Sequence, residues 1–173
     1  MAETSVFRRR FSCRSFTAEP VPRSVIEDLL EAARWAPSGG NVQPWRFLVV
    51  LDRATRDALA AAAWRQRFVA SAPVVIVVCA LPELSARTYG QRGRELYCLQ
   101  DTAAATQNLL LAATELGLGT CWVGAFDEAA AARALRLPPD WRPVAMVPIG
   151  VPATDPPPRR SRFPLSEVVV WLE

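Results

Sequence analysis

The chain has 173 residues, 51% of them apolar, and a formal net charge of +3. That length suits one domain, and a domain of this size buries roughly 70% of its unfolded surface, so its core needs no metal or disulfide staple. The composition excludes disorder, and so small a charge does not by itself argue for nucleic acid.

Ser5 to Phe11 is expected to form a short basic helix. Val21-Pro22 opens a second, with Pro in its first turn and an apolar stripe of Val25, Ile26, Leu29, Leu30 and Ala33. A loop rich in Gly, Asn and Gln follows, then a strand from Trp45 to Leu51. Arg53 to Phe68 is Ala-rich and predicted as one helix, and Pro73 to Leu81 as a strand covered on both faces. Pro82 to Arg94 is polar and lacks periodicity, which predicts a mobile loop. Leu99, Ala103, Thr106, Leu110 and Ala113 alternate four and three apart, the pattern of a long buried helix ending at Gly117. Gly119 to Phe126 is expected to be extended, and Asp127 to cap a helix running to Leu135. Pro143 to Ile149 is predicted as a strand weakened by Pro148. The Pro-rich stretch "PATDPPPRRSR" is an extended connector, and Val168 to Leu172 a terminal strand or arm. Alternating helices and strands predict a sheet layered by helices.

There is no His, which removes His triads, His metal sites and His general bases. Cys13, Cys79, Cys98 and Cys121 have neither metal nor redox spacing, so no metal is expected and free thiols in a cytoplasmic protein are. The first residues, "MAETSVFRRRFSC", hold no apolar core of a signal peptide, and the longest apolar run is too short to span a membrane.

All twenty basic residues are Arg, four of them within Arg8–Arg14 and three within Arg159–Arg162. Arg10, Ser12 and Arg14 are spaced two apart, so an extended segment turns all three to one side. Two guanidinium forks around a hydroxyl suit a phosphate or another anion; a solvated basic face is the other reading. In the loop from Pro37 to Gln43, Gly39 and Gly40 can take positive φ and admit a ligand to the backbone. Asn41 and Gln43 add donors and acceptors of the kind a ring with carbonyls and ring nitrogens needs. A helix cap and turn explains the glycines, but not Asn41, Gln43 and Trp45 together. The third stretch, "GLGTCWVGAFD", has neither Walker nor Rossmann spacing, and taken alone it fits a helix-to-strand turn with a packed Trp.

Together these stretches resemble the FMN-dependent nitroreductase family. "RRFSCRSFTAEPVP" is similar to its Arg-x-Ser-x-Arg opening, and "APSGGNVQPW" to its Ala-Pro-Ser-x-x-Asn-x-Gln-Pro-Trp segment. "LLLAATELGLGTCWVGAF" and "RRSRFPLSEVVVW" resemble its helix-and-turn under the isoalloxazine and its C-terminal ending. Phe11 stands where a second Arg is common, and the region between Phe68 and Leu99 is short, without an obvious helical lid.

The resemblance implies an α+β fold, a three-layer α/β/α sandwich with a mixed sheet, as a single domain over 1–173 with 151–173 as connector and arm. It implies a homodimer intertwined through that arm, with FMN at the subunit interface. Arg10 would hold the FMN phosphate with Ser12 beside it, and Arg14 would reach the pyrimidine edge. Pro37, Ser38, Gly39 and Asn41, with Gln43 nearby, would come from the partner. Cys121, Trp122, Val123 and Gly124 would pass near the reactive nitrogen, and Arg160 and Arg162 would return to the phosphate. The implied reaction takes a hydride from NADH or NADPH and reduces a small acceptor such as a nitroaromatic or quinone, in ping-pong order. Dehalogenation or flavin fragmentation on the same fold and a non-enzymatic FMN-binding protein are alternatives. A nucleic-acid binder would need the Arg clusters on one face with stacking aromatics, which the sequence does not pair with them.

Overall fold

The computed structural model describes residues 5–158 and 161–172. Its elements in chain order are α1 (Val6–Arg9), α2 (Arg23–Arg34), β1 (Trp45–Val50), α3 (Arg53–Ala62), α4 (Arg67–Ser71), β2 (Val74–Ala80) and α5 (Pro82–Arg92). After a π-turn at Gly93–Tyr97 come α6 (Cys98–Glu115), β3 (Gly119–Thr120), α7 (Glu128–Leu135), β4 (Arg142–Gly150) and α8 (Leu165–Val168).

The sheet order is β1-β2-β4-β3, and every ladder between these strands is antiparallel. The four strands thus form an antiparallel sheet; one isolated parallel bridge among the described residues, Ser12 to Thr120, lays the N-terminal segment along the β3 edge. β2 is buried at every position, and alternation sends its side chains to two separate cores. Val74 and Ile76 pack with Ile26, Leu29, Leu109, Leu110 and Ala113 of α2 and α6. Val75, Val77 and Cys79 pack with Leu59, Val69 and Ala131 of α3, α4 and α7. Each fully buried Val or Leu contributes about 1.5–3 kcal/mol, so the two-sided burial of one strand ties the three layers together.

Helix starts follow local chemistry. The Asp52 carboxylate accepts from the Thr55 amide at 2.7 Å before α3, and Asp127 from the Ala130 amide at 2.9 Å before α7. The α6 stripe holds: Thr106, Leu110 and Ala113 are buried, Leu99 and Ala103 half-buried.

Two expectations are corrected. Arg53 to Phe68 is not one helix; Trp64 and Arg65 take φ 54° and 60°, and the chain turns there between α3 and α4. The segment from Pro82 is not a loop but α5, opened by Pro82 in its first turn and tied to the π-turn by a bidentate Arg94–Glu83 pair at 2.6 and 2.8 Å. Its low periodicity has a physical cause. Ser85 is its one buried residue, and Gly90, at φ 58° and ψ −141°, kinks it. A helix therefore does occupy the region between β2 and α6.

Among the described residues, no helix is long and apolar enough to cross a membrane.

Candidate functional site: a polar cradle at one sheet edge and a clamped loop at the other

The first half of the site lies at the β3 edge. The Cys13 amide donates to the Thr120 carbonyl at 2.8 Å, and Phe16 bridges Pro152 further on. This extended path turns Cys13 inward and leaves Ser12 and Arg14 exposed, with Arg10 half-buried. Cys13 fits because residue 119 is glycine: a Cβ there would stand 2.7 Å from both Cβ and Sγ of Cys13.

The strand after β3 presents its own donors. The amides of Cys121 and Val123 face inward, to the Pro148 carbonyl at 3.4 Å and the Met146 carbonyl at 2.9 Å. Successive amides of an extended chain point to opposite edges. Those of Trp122 and Gly124 accordingly face the outer edge, and they donate to no protein group among the described residues. Trp122 and Gly124 are exposed, whereas Cys121 and Val123 are buried.

The cations stand over this edge. Burial pushes the Cys121 thiol up, while Arg14, the Ser12 hydroxyl and Arg10 beside it pull the other way. Ser12 is thus the direct neighbour of the Cys121 thiol, and both guanidiniums lie within electrostatic reach of it. The Arg14 guanidinium lies 5.7 Å from the centre of the Phe68 ring, so α4 borders the site. Six other arginines, at 9, 23, 34, 53, 94 and 142, are paired with carboxylates. Arg10 and Arg14 are in no ion pair among the described residues. Two unneutralised guanidiniums, a hydroxyl and two free amides form a donor set that fits an anionic group joined to a flat ring with polar edges.

The second half is the loop between α2 and β1. Gly39–Asn41 is a single 3-10 turn, and Gly40, Asn41 and Gln43 take φ 54°, 57° and 53°. Ser38 supports it twice: its carbonyl accepts from the Asn41 amide and its Oγ from the Gln43 amide, both at 3.0 Å. The Gly39 amide donates to Asp101 Oδ1 at 3.2 Å. Burial pushes the Asp101 carboxyl up, against this hydrogen bond. Tyr89 covers the glycines and meets Tyr97 edge-on at 5.0 Å, with the Arg92 Nε donating to the Tyr97 hydroxyl at 3.0 Å. Pro37, Gly40, Asn41 and Gln43 remain exposed.

One chain does not unite the two halves. Trp45, where the loop ends, is in register with Ala80 and Arg142; Thr120 is in register with Ile149 at the far end of β4 and on the opposite edge. Seven residues along a strand and three strand spacings across put roughly 25 Å between them. Of the predicted cofactor residues, the structure gathers Arg10, Ser12, Arg14, Cys121, Trp122, Val123 and Gly124 at one edge. Pro37, Ser38, Gly39, Asn41 and Gln43 gather at the other. Arg160 lies outside the described residues, and Arg162 is exposed, donating to the Ser161 carbonyl at 3.2 Å.

Sequence reasoning missed Cys13, Phe68, Tyr89, Tyr97 and Asp101. Asp101 had a signal: it is the one carboxylate on the buried face of α6.

The model of the nitroreductase family matches residues 7–66 and 60–151. The chain is 34% identical to an NADH dehydrogenase of Thermus thermophilus over 98% of its own length and 95% of the relative's. It is 32% identical to the 5,6-dimethylbenzimidazole synthase of Rhodobacter capsulatus over 87% and 84%. A nitroreductase family protein from Clostridium difficile superposes with a TM-score of 0.84 at 31% identity, covering 99% of this chain and 98% of that one. Matching most of its length in sequence and nearly all of it in fold, the chain belongs to the nitroreductase family.

Proposed function

We propose that the protein is an FMN-dependent oxidoreductase that takes a hydride from NADH or NADPH and reduces a small acceptor such as a nitroaromatic or quinone. The observation that carries this reading is the pair Arg10 and Arg14, in no ion pair among the described residues and within electrostatic reach of Cys121, whose chain neighbours Trp122 and Gly124 have amides with no protein acceptor there. Its membership of a family whose members bear names such as NADH dehydrogenase supports the hydride donor.

In this reading Arg10 and Ser12 hold the FMN phosphate, with Arg162 and Arg160 joining them. Arg14, fixed against Phe68, meets the pyrimidine edge. The amides of Trp122 and Gly124 donate to the ring's polar atoms, and Cys121 and Val123 keep that segment pinned to β4. Pro37, Ser38, Gly39, Asn41 and Gln43 of a second copy complete the site, so the working unit is a homodimer and residues 1–173 act as one FMN-binding domain. The exposed arm, with Trp171 83% and Leu172 95% accessible in the single chain, is the segment that would wrap the partner. Bound FMN would supply two-electron hydride chemistry, while the chain supplies position and electrostatics. With one hydride from NAD(P)H and one proton from solvent, a quinone becomes a hydroquinone. Four buried free thiols suit a reducing compartment, and we place the protein in the cytoplasm.

A second reading keeps the cofactor and changes the reaction, to fragmentation or dehalogenation. The likeness to a protein named 5,6-dimethylbenzimidazole synthase favours it. Steady-state kinetics with NADH or NADPH and a quinone separate the two. The proposal predicts acceptor-dependent turnover with parallel double-reciprocal lines, because two substrates use one pocket in turn, and FMN recovered intact. Consumption of FMN, or no turnover with any acceptor, contradicts it.

A further inference from the structure

On its buried face α6 carries Cys98, Thr102, Ala105, Thr106 and Leu109, and among them one carboxylate, Asp101. Asp101 is 8% exposed. Its Oδ1 accepts from the Gly39 amide at 3.2 Å, and its Oδ2 is buried with no partner among the described residues. A carboxylate in such a place is costly, and an apolar residue would pack the helix at lower cost. What Asp101 does that alanine could not is hold the Gly39 amide.

The loop that it holds does not favour its own conformation. Asn41 and Gln43 sit in the left-handed region without being glycine, and Gly40 sits there between Asp101's anchor and Tyr89. A Cβ on Gly40 would stand 2.5 Å from the Tyr89 hydroxyl. Such backbone persists only where its surroundings over-determine it. Two groups from other elements do that here: Asp101 of α6 grips residue 39 and Tyr89 of α5 covers residue 40.

We propose that Asp101 is a positioning residue for the flavin-facing loop: it acts through Gly39, holding the Pro37–Asn41 backbone in the turn that meets the cofactor of the partner subunit. The inference rests on the FMN reading above and adds to it a residue far from the phosphate cradle.

The test titrates FMN into the full-length chain, followed by flavin fluorescence, for wild type, Asp101→Ala and Asp101→Asn, with a thermal melt of each without FMN. Asp101→Ala is expected to bind FMN about tenfold more weakly or worse, the scale of one charge-assisted hydrogen bond. Asp101→Asn keeps an oxygen for the Gly39 amide and is expected to stay within about threefold of wild type. Wild-type affinity in Asp101→Ala overturns the proposal, even with a lowered melting temperature, because Asp101 would then support only the fold. Equal weakening in Asp101→Asn also overturns it. If Asp101→Ala does not fold, amide exchange in the wild type decides: a protected Gly39 amide supports the tie, and one exchanging as fast as Gly40 refutes it. A wild type that takes up no FMN is a separate result, which overturns the reading of function and this inference with it.

Discussion

Arg10 and Arg9 are neighbours with different work. Arg9 donates to Glu115 at 2.8 Å, a contact that ties α1 to the end of α6. Arg10 is in no ion pair among the described residues and stands with Arg14 and Ser12 beside Cys121. In the proposed site, replacing it would therefore remove a ligand contact and little else. Arg10→Ala is expected to weaken FMN binding by roughly tenfold to a hundredfold, the worth of one or two charge-assisted hydrogen bonds. The stability of the FMN-free protein should stay within about 0.5 kcal/mol of wild type in urea unfolding. Full flavin occupancy in the variant would show that the phosphate lies elsewhere. The Arg-x-Ser-x-Arg spacing made this cluster legible, because period-two geometry in an extended segment needs no tertiary information. For Asp101 the signal was only a carboxylate on the buried helix face, without its partner. Its partner is a backbone amide more than sixty positions away, and no side-chain pattern announces a backbone donor.

At the scale of elements, the N-terminal segment depends on the strand that it lies against. Gly119 is the contact point: any Cβ there enters the space of the Cys13 side chain at 2.7 Å, with Pro152 at 3.0 Å on another side. Gly119→Ala is expected to cost about 1–3 kcal/mol of stability as overpacking. It should also weaken FMN binding, because the bridge that sets Ser12 between Arg10 and Arg14 must move. Urea unfolding and flavin titration of the one variant check both; a variant with wild-type stability and affinity would mean that the segment does not rely on this contact. The same scale shows where sequence patterns carried and where they failed. β2 was legible because seven consecutive buried positions leave a continuous apolar run. The α2 and α6 stripes were legible because each packs one face on the sheet. α5 was not, since it buries almost nothing on its own and owes its start to Pro82 and its support to the Arg94–Glu83 pair. The break after α3 was missed because Trp64 and Arg65, residues with no preference for positive φ, are held there by their surroundings. The Gln66 side chain, whose Nε2 donates to the Ala125 carbonyl at 3.2 Å, is one such restraint.

At the scale of the molecule, the two polar half-sites occupy opposite edges of one sheet, with Trp45 and Thr120 roughly 25 Å apart by strand geometry. No hinge in a layered sandwich of this kind brings them together. In the proposed homodimer a second copy would do so, and the apolar arm from Leu165 to Leu172 leaves each single chain with the exposed surface that such a partner would cover. The helical layers and the family were legible in the sequence; the distance between the half-sites was not, because it depends on strand order, which local patterns do not encode. The central claim is that this paired cradle holds a flavin that NADH or NADPH reduces. The most direct measurement is the visible absorption spectrum of the purified protein, with FMN added if needed, before and after NADH or NADPH under exclusion of air. The account predicts a bound flavin band that bleaches on addition of the nucleotide and returns when a quinone is supplied. A protein that takes up no FMN, or one whose bound flavin stays oxidised with both nucleotides, would contradict it.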